Sequence, residues 1–405
     1  MCQAIYPIIM TLMNINMKGV FRMRPSINKR ILHIMSSHGG GISTFIHNIA
    51  TEIHQFGIVF DVVTFDPCPP EFIDTIRRTG GDVYQLKNPK KEGWRQFQKS
   101  LARVLQLYQY DLIHCHISGY RAIAYKWVAG FYSNAEFLIH AHYNVDDNKL
   151  SVSQKFFHYL NQVINTNLSS KFVGCSRDAV QSLFGYKIDR EEMVIIPNSI
   201  DPDDFIFSDE RTEELREEGR RHYHIEQDTV VVGQIGRLTA VKNHSLTLQI
   251  AELAKVKNIN IKFLIAGTGE LEGSLQQRII DNGLTDYVQL VGRLSPIGEF
   301  MPVTDVILFP SLNEGLGTTA IESQAAGKPV VLTATLPMEL ELDLGLLHRV
   351  DLSQTADQWL DELLQASKEP KVNSVERLLA LQRHSYTNHQ AAKLFSTLIA
   401  GNTNF

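Results

Sequence analysis

The sequence predicts an α/β protein of two doubly wound domains that face each other across a deep cleft, and three observations carry that expectation. At 405 residues the chain exceeds what one hydrophobic core usually holds, so two domains of roughly 180 residues each are expected. From Arg30 onward, short apolar runs alternate with helix-patterned stretches, the grammar of βαβ units and of a parallel sheet covered on both faces. The alternation breaks at Asn198-Ser-Ile-Asp-Pro-Asp-Asp204 and restarts at Val230.

In the first half, strands are expected at Ile31–Met35, Phe60–Phe65, Leu112–His116, Phe137–His142, Phe172–Gly174 and Val194–Ile196. A glycine-rich turn and a helix over Thr44–Gln55 follow the first of them. In the second half they are expected at Val230–Ile235, Ile261–Ala266, Val288–Val291, Val306–Phe309 and Val330–Leu332. The expected organisation is a leader over 1–29, a Rossmann-like domain over 30–200, a connector over 201–226, a second Rossmann-like domain over 227–385 and a terminal helical segment over 386–405. The leader is apolar over its first 15 residues but carries its first lysine, Lys18, after that stretch, the reverse of a secretory signal, and it is left out of the fold argument.

Composition narrows the function. A hydrophobic share of 44% with 20% charge is that of a soluble globular protein. The net charge of −5 gives no support to a nucleic-acid binder that works by neutralising phosphates. Cys2, Cys68, Cys115 and Cys175 form no Cys-x-x-Cys pair, which fits a reducing cytoplasm. No run reaches the ~18 apolar residues that a membrane span needs.

The densest chemistry lies in Phe309-Pro-Ser-Leu-Asn-Glu-Gly-Leu-Gly-Thr-Thr-Ala-Ile-Glu322, where Glu314 and Glu322 stand eight residues apart across a glycine-bearing turn. A strand, a tight turn and a helix over Thr319–Lys328 form the switch-point geometry that binds phosphorylated ligands. Gly315 and Gly317 admit close approach of main chain, and the amides of Leu316 to Ala320, Thr318 included, would face a phosphate. A structural alternative is a capping box in which Glu322 closes the helix start onto Thr319.

Arg237, at the end of the first strand of the second half, and Lys242, at an expected helix start, are two cations able to hold a diphosphate leaving group. Gly39-Gly40-Gly41 turns the chain after the first strand. Gly267-Thr-Gly269 with Gly273 misses the dinucleotide fingerprint by one residue, and the following strand ends in Gly292-Arg293 rather than in a ribose-binding acid, which disfavours a dehydrogenase. His114 with His116, and His140 with His142, alternate along two strands. Without His-x-x-x-His or Cys-x-x-Cys spacing, no metal site is expected, while one cleft histidine is expected as a polar contact or proton partner. Asp201-x-Asp203 reads as loop or cap chemistry. Lys87, Lys90, Lys91, Arg95 and Lys99 around Trp94 and Phe97 read as a solvated amphipathic helix or as a rest on an anionic membrane.

Together these motifs resemble the retaining glycosyltransferases of family four, of the bacterial exopolysaccharide, capsule and lipopolysaccharide type. The resemblance runs from about Ile31 to about Ile399, and its most specific part is Glu314-Gly-Leu-Gly-Thr-Thr-Ala-Ile-Glu322, similar to the family's Glu-x7-Glu signature. It implies the GT-B fold, with the last helix, roughly Ala391–Ile399, crossing back onto the first domain. It implies a catalytic set of Glu314, His142, Arg237 and Lys242, with His140 as the alternative histidine. It places the donor against Gly40, Gly41, Gly292, Arg293, Gly315, Leu316, Gly317 and Thr318, with Glu322 on the ribose. The implied reaction moves a sugar from a nucleoside diphosphate sugar, a UDP sugar being expected, to an acceptor hydroxyl of a glycan or lipid-linked glycan, with no metal or other cofactor. The implied place is cytoplasmic, peripheral at the inner membrane face. A nucleotide-sugar epimerase on the same frame and a non-catalytic nucleotide-sugar binding subunit are the alternatives. Thr318 and Thr319 depart from the usual apolar residue of the signature.

Overall fold

The computed structural model describes residues 29–145 and 150–401, so the expected leader lies outside the described residues apart from Lys29. Two parallel sheets organise the chain. The first joins β1 (Lys29–Ile34), β2 (Ile58–Thr64), β3 (Val83–Gln85), β4 (Leu112–Cys115), β5 (Glu136–Ala141), β6 (Phe172–Gly174) and β7 (Met193–Ile195) in the order β3-β2-β1-β4-β5-β6-β7. The second joins β8 (Val230–Ile235), β9 (Ile261–Ala266), β10 (Val288–Gly292), β11 (Val306–Phe309), β12 (Val330–Thr333) and β13 (Leu347–Val350) in the order β10-β9-β8-β11-β12-β13.

Sequence dictates this layering through runs that are apolar on both faces. All seven residues of β2 are buried, as a strand covered on both sides requires. One face of the first sheet packs against the helices Gly41–Ile53, Pro70–Thr79 and Asn388–Ile399 around Phe45, Phe60, Phe72 and Phe395. The other packs against Trp94–Leu105, Tyr120–Tyr132 and Arg177–Phe184 around Phe97, Tyr125 and Ile139. The second sheet buries Phe263, Leu308, Val331 and Trp359 on one side. On its other side Ile307, Phe309 and Ile321 belong to an apolar cluster that runs on into the first half. The last helix lies on the first sheet, where the Phe395 ring meets Phe60 edge to face at 5.4 Å and Lys171 Nζ donates to Leu398 O at 3.1 Å.

Several boundaries differ from those expected. The edge strands β3 and β13 escape the apolar-run criterion because they are short and mostly half-exposed. The first helix begins at Gly41, three residues before Thr44. The helix after Glu314 runs over Thr318–Ala325, with Gly317 at its cap position in the left-handed region (φ 96°) and no side-chain cap. The expected capping box between Thr319 and Glu322 is therefore absent. Thr319 already lies inside the helix, where its carbonyl accepts from Ser323 Oγ at 2.6 Å.

In the connector, Asp201 accepts from the Asp203 amide at 3.1 Å and caps the 3-10 turn Pro202–Asp204. The charged helix Asp209–His222 is tied to the second sheet by Arg216 and Arg220, which meet Asp305 at 2.6 and 2.8 Å. Strand order reverses direction at β1/β4 in the first sheet and at β8/β11 in the second. The crevices at the carboxyl ends of those strands are where doubly wound sheets bind ligands, and the residues singled out from sequence cluster there.

Candidate functional site

Four loops of the second half build one wall. Arg237 follows β8 by two residues, is exposed, and makes no ion pair among the described residues. Lys242 closes the 3-10 turn Ala240–Lys242, just ahead of the helix His244–Val256 rather than at its start. Its stem crosses Gly236, where a Cβ would stand 2.8 Å from Lys242 Cε. Lys242 Nζ sits 2.6 Å from Glu314 Oε1 and 4.8 Å from the Phe309 ring centre. The side chains of this pair are only 17% and 16% exposed, so the interaction is less screened than a surface salt bridge. Gly267 and Gly269 serve main-chain packing: Cβ atoms there would come within 1.8 Å of Gly236 O and 2.5 Å of Leu238 O. They hold the β9 loop against the Arg237 loop.

Glu314 and Glu322 sit in unlike surroundings. Glu314 is committed to Lys242. The Glu322 carboxylate accepts no hydrogen bond from the described residues, and burial pushes its pKa up to about 7, with Lys242 pulling it down and Asp204 pushing it up. Such a carboxyl has its acceptor capacity free. The first amides of the helix Thr318–Ala325 likewise have no intrahelical acceptor.

The loop between the two acids is fastened to the first half. A Cβ on Gly315 would meet His142 O at 2.1 Å, so only glycine fits there. Ser176 Oγ donates to Gly315 O, and Asn313 Nδ2 donates to Asn144 O at 2.7 Å. Gly317 packs on Phe309, whose ring would lie 2.9 Å from an added Cβ, while Leu316 is buried in the core beneath.

On the opposite wall, Gly40 (φ 86°) precedes the helix Gly41–Ile53. The turn is set by Ser43, whose hydroxyl accepts from the Gly39 amide and donates to Gly40 O, both at 3.0 Å. Gly41 faces Asn198, 3.4 Å from where its Cβ would be. Burial, and after it the charge of Arg293, lowers the pKa of His38, which sets Arg293 of the second half opposite this glycine loop. Gly292 (φ 73°) ends β10, and its carbonyl accepts from the Gly267 amide at 2.8 Å.

His140 and His142 have different fates. His140 is fully enclosed and pairs with His114 (Nδ1 to Nε2, 3.0 Å). His142 keeps some exposure where the Gly315 loop crosses it, and its Nε2 lies 2.7 Å from His116 Nδ1. Its Nδ1 has no partner, and burial pushes its pKa down to about 3. The structure thus brings Glu314, Glu322, Lys242, Gly315 and His142 together, with Arg237 at the rim. Sequence reasoning missed Ser176, Asn313, Phe309 and the pairing of His116 with His142. Only the last had a visible signal, the matched His-x-His spacing on two strands.

The comparisons agree with this geometry. Residues 39–204 match the model "Glycosyltransferase Family 4" and residues 216–342 match "Glycosyl transferases group 1". The chain is 25% identical over 363 residues to the putative glycosyltransferase EpsF of Bacillus subtilis, covering 88% of this chain and 92% of that one. It is 26% identical over 352 residues to the D-inositol 3-phosphate glycosyltransferase of Corynebacterium jeikeium, covering 80% and 82%. Among solved structures, Anabaena Alr3699/HepE in complex with UDP-glucose superimposes with a TM-score of 0.70 at 18% identity, over 92% of this chain and 99% of that one. With a family 4 half before the connector, a group 1 half after it and two doubly wound sheets between which the site lies, the chain belongs to the glycosyltransferases of GT-B fold.

Proposed function

We propose that the chain moves a sugar from a nucleoside diphosphate sugar, a UDP sugar, to a hydroxyl of a glycan acceptor, with retention at the anomeric carbon. The observation that carries this reading is the Lys242–Glu314 pair at 2.6 Å beside unpaired Arg237 and the free start of the helix Thr318–Ala325. Together they offer cations, amide donors and a sugar-facing carboxylate at one sheet's switch point. A relative named as an O-antigen biosynthesis glycosyltransferase, WclY of Escherichia coli, and neighbours in complex with UDP and UDP-glucose support the acceptor class and the donor.

In the reaction, the C1–O bond to the diphosphate lengthens first and positive charge grows on the sugar ring while negative charge grows on the leaving oxygens. Arg237, Lys242 and the first amides of the helix stabilise that leaving group electrostatically, so no metal is needed. The acceptor hydroxyl attacks C1 from the face the diphosphate leaves. Its proton passes to a departing phosphate oxygen as the new C1–O bond closes. Glu314, held by Lys242, positions the sugar; Glu322 takes ribose hydroxyls; His142, with a pKa near 3, stays neutral and serves as a hydrogen-bond partner rather than a base.

The test is a panel of UDP, GDP and ADP sugars with and without glycan acceptors, in chelator, the product read by proton NMR. Acceptor-dependent release of UDP and a product with the donor's anomeric configuration are expected, and Arg237→Ala should lower kcat/KM by about 10²-fold or more. Inversion, a strict metal requirement, or donor turnover without acceptor would each overturn the reading, the last in favour of an epimerase.

The acceptor is proposed to be lipid-linked, because the first half carries an apolar face that stays exposed among the described residues. On the helix Val152–Leu168 only Asn165 is buried, while Phe156 and Phe157 stand exposed. Exposed Tyr120, Trp127 and Phe131 continue the face on the neighbouring helix, and Trp94 lies 5.9 Å from Trp127. Exposed Lys90, Lys91, Arg95 and Lys99 flank it, the mix of aromatic and basic side chains that suits a headgroup boundary. Among the described residues no helix is long and apolar enough to cross a membrane. The protein is expected to co-sediment with phosphatidylglycerol vesicles and not with phosphatidylcholine vesicles. Trp127→Glu with Phe131→Glu should abolish sedimentation without changing transfer to a water-soluble acceptor.

A further inference from the structure

The four residues Leu312, Asn313, Glu314 and Gly315 are tied alternately to the two halves of the chain. The Leu312 amide donates within the second half, to Val241 O at 2.8 Å. Asn313 turns the other way, and its Nδ2 donates to Asn144 O of the first half at 2.7 Å. Glu314 turns back to Lys242 at 2.6 Å, with its Cγ 3.6 Å from where a Cβ on Gly317 would stand. Gly315 crosses again: its carbonyl accepts from Ser176 Oγ, and an added Cβ would fall 2.1 Å from His142 O. The side chain of Glu314 is thus held by the second half, and its backbone, on both flanks, by the first.

The anchors in the first half are firm. His142 and Asn144 follow β5 and Ser176 follows β6, two strands paired from Ile139–Phe172 to Ala141–Gly174. The Cys175 amide continues that ladder onto Ala141 O at 2.9 Å. Ser176 is fully buried, and its hydroxyl accepts from the Ala179 amide at 3.2 Å while it donates to Gly315 O. A hydroxyl has one proton and two lone pairs, so one oxygen caps the helix Arg177–Phe184 and holds the Glu314 loop together. Groups held from strand ends are placed more precisely than groups on free loops.

Two roles are open to these tethers: fastening one half to the other, or placing Glu314. Position separates them. The seam has fasteners that leave the loop alone, among them Glu339, whose Oε1 accepts from the Arg177 amide at 3.0 Å and meets Arg177 Nη1 at 3.4 Å. The apolar cluster shared by both halves is another. Asn313 and Gly315 are instead the immediate neighbours of Glu314, and their bonds act on the peptide units that carry its Cα. With either bond gone, the Glu314 backbone can shift while Lys242 still draws the carboxylate, which then follows the lysine and not the sugar. A misplacement of about 1 Å can cost on the order of 10²-fold in rate.

We propose that Ser176 and Asn313 are positioning residues for the transfer reaction, which aim Glu314 at the donor sugar from the opposite half of the chain. This rests on the reading that Glu314 meets a nucleotide sugar in the cleft. Both residues act through Glu314 and not on the substrate. The sugar-facing carboxylate is borne by one half and aimed by the other, so a donor held by the second half alone meets no aimed carboxylate.

The experiment is a kinetic cycle through Glu314. Ser176→Ala removes one tether and Asn313→Leu the other, the leucine being close in shape to asparagine but without a donor. Each should lower kcat for transfer about 10–30-fold, with the donor KM within about threefold. In a Glu314→Gln background the same changes should cost less than about twofold, because a residue that works through Glu314 has nothing left to place. Glu339→Ala, which breaks bonds across the same seam away from the loop, should leave kcat as in the parent. Ser176→Ala also removes a helix cap, so thermal unfolding accompanies the kinetics. Asn313→Leu touches no cap and carries the test if the alanine variant fails to fold. Equal losses in the two backgrounds, a change in donor KM alone, or a loss in Glu339→Ala as large as in Ser176→Ala would overturn the proposal. If Glu314→Gln itself leaves kcat unchanged, the failure lies with Glu314 as the sugar-facing carboxylate. Additive losses on top of an impaired Glu314→Gln count against the tethers alone.

Discussion

Replacing Lys242 by methionine, or Glu314 by glutamine, is expected to lower kcat by about 10²–10³-fold, and the double variant should lose little more than either alone. The reason is the geometry of the pair. Lys242 and Glu314 stand 2.6 Å apart and mostly out of water, so each single change leaves the partner charge uncompensated, a cost of roughly 3–5 kcal/mol for a buried pair. Part of that cost falls on the fold and part on the site. Glu314→Gln frees the ammonium to lie in any geometry over Phe309, and on the proposed function Lys242→Met leaves a carboxylate facing the diphosphate with no cation between them. The two residues act as one unit, and effects within a unit do not add. Steady-state kinetics on the four proteins of the cycle, with thermal unfolding alongside, would settle it. Strictly additive losses would mean that the two groups act independently.

How much of this was legible in sequence depends on whether a feature is periodic or tertiary. The two sheets could be read because β2, β8, β9 and β11 are predominantly apolar runs buried on both faces, and such runs have few other uses in a globular chain. Edge strands such as β13, Leu-His-Arg-Val, carry no such mark. The Glu314 loop was visible because carboxylates and glycines at fixed spacing are local. The Lys242–Glu314 pair was not, since residues 72 positions apart meet only when β8 and β11 become neighbours. Glu322 illustrates the limit in another way. Thr319 and Glu322 satisfy the spacing of a capping box, and the helix start still settles on Gly317, whose left-handed conformation the turn requires. Two residues of slippage in the cap position, from Thr319 to Gly317, release Glu322 from a capping duty. The histidine spacing was legible as well, but whether four alternating imidazoles meant a metal or hydrogen-bonded pairs depended on nitrogen–nitrogen distances that no spacing encodes.

Glu322→Gln is expected to make the protein more stable and a poorer enzyme, with both effects depending on pH. The ordinary glutamate value is 4.5 and burial raises it to about 7 in the fold, so between those values the folded chain binds more protons than the unfolded one. The stability from that proton is fully present below about pH 4.5 and is lost as pH rises through 7. Glutamine imitates the protonated acid at every pH. At pH 8 the variant should therefore gain about 1–3 kcal/mol in urea unfolding, allowing for the partial exposure of the group, and at pH 4.5 it should gain almost nothing. Catalysis runs the other way. On the proposed function the ionised carboxylate accepts from ribose hydroxyls, bonds to a charged group contribute about 1.5–3 kcal/mol each, and the variant should lose about 10–100-fold in kcat/KM for the donor at pH 8. The unmodified enzyme should lose the same factor on its own as pH falls from 8 to 6, because Glu322 takes up its proton there, whereas the variant's profile should be flat across that limb. Lys242 is the charge that pulls the Glu322 pKa down, so Lys242→Met should move the limb to higher pH. A kcat/KM limb that survives in Glu322→Gln would assign the titration to another group, and an unchanged unfolding midpoint at pH 8 would mean that Glu322 is solvated well enough to ionise without cost.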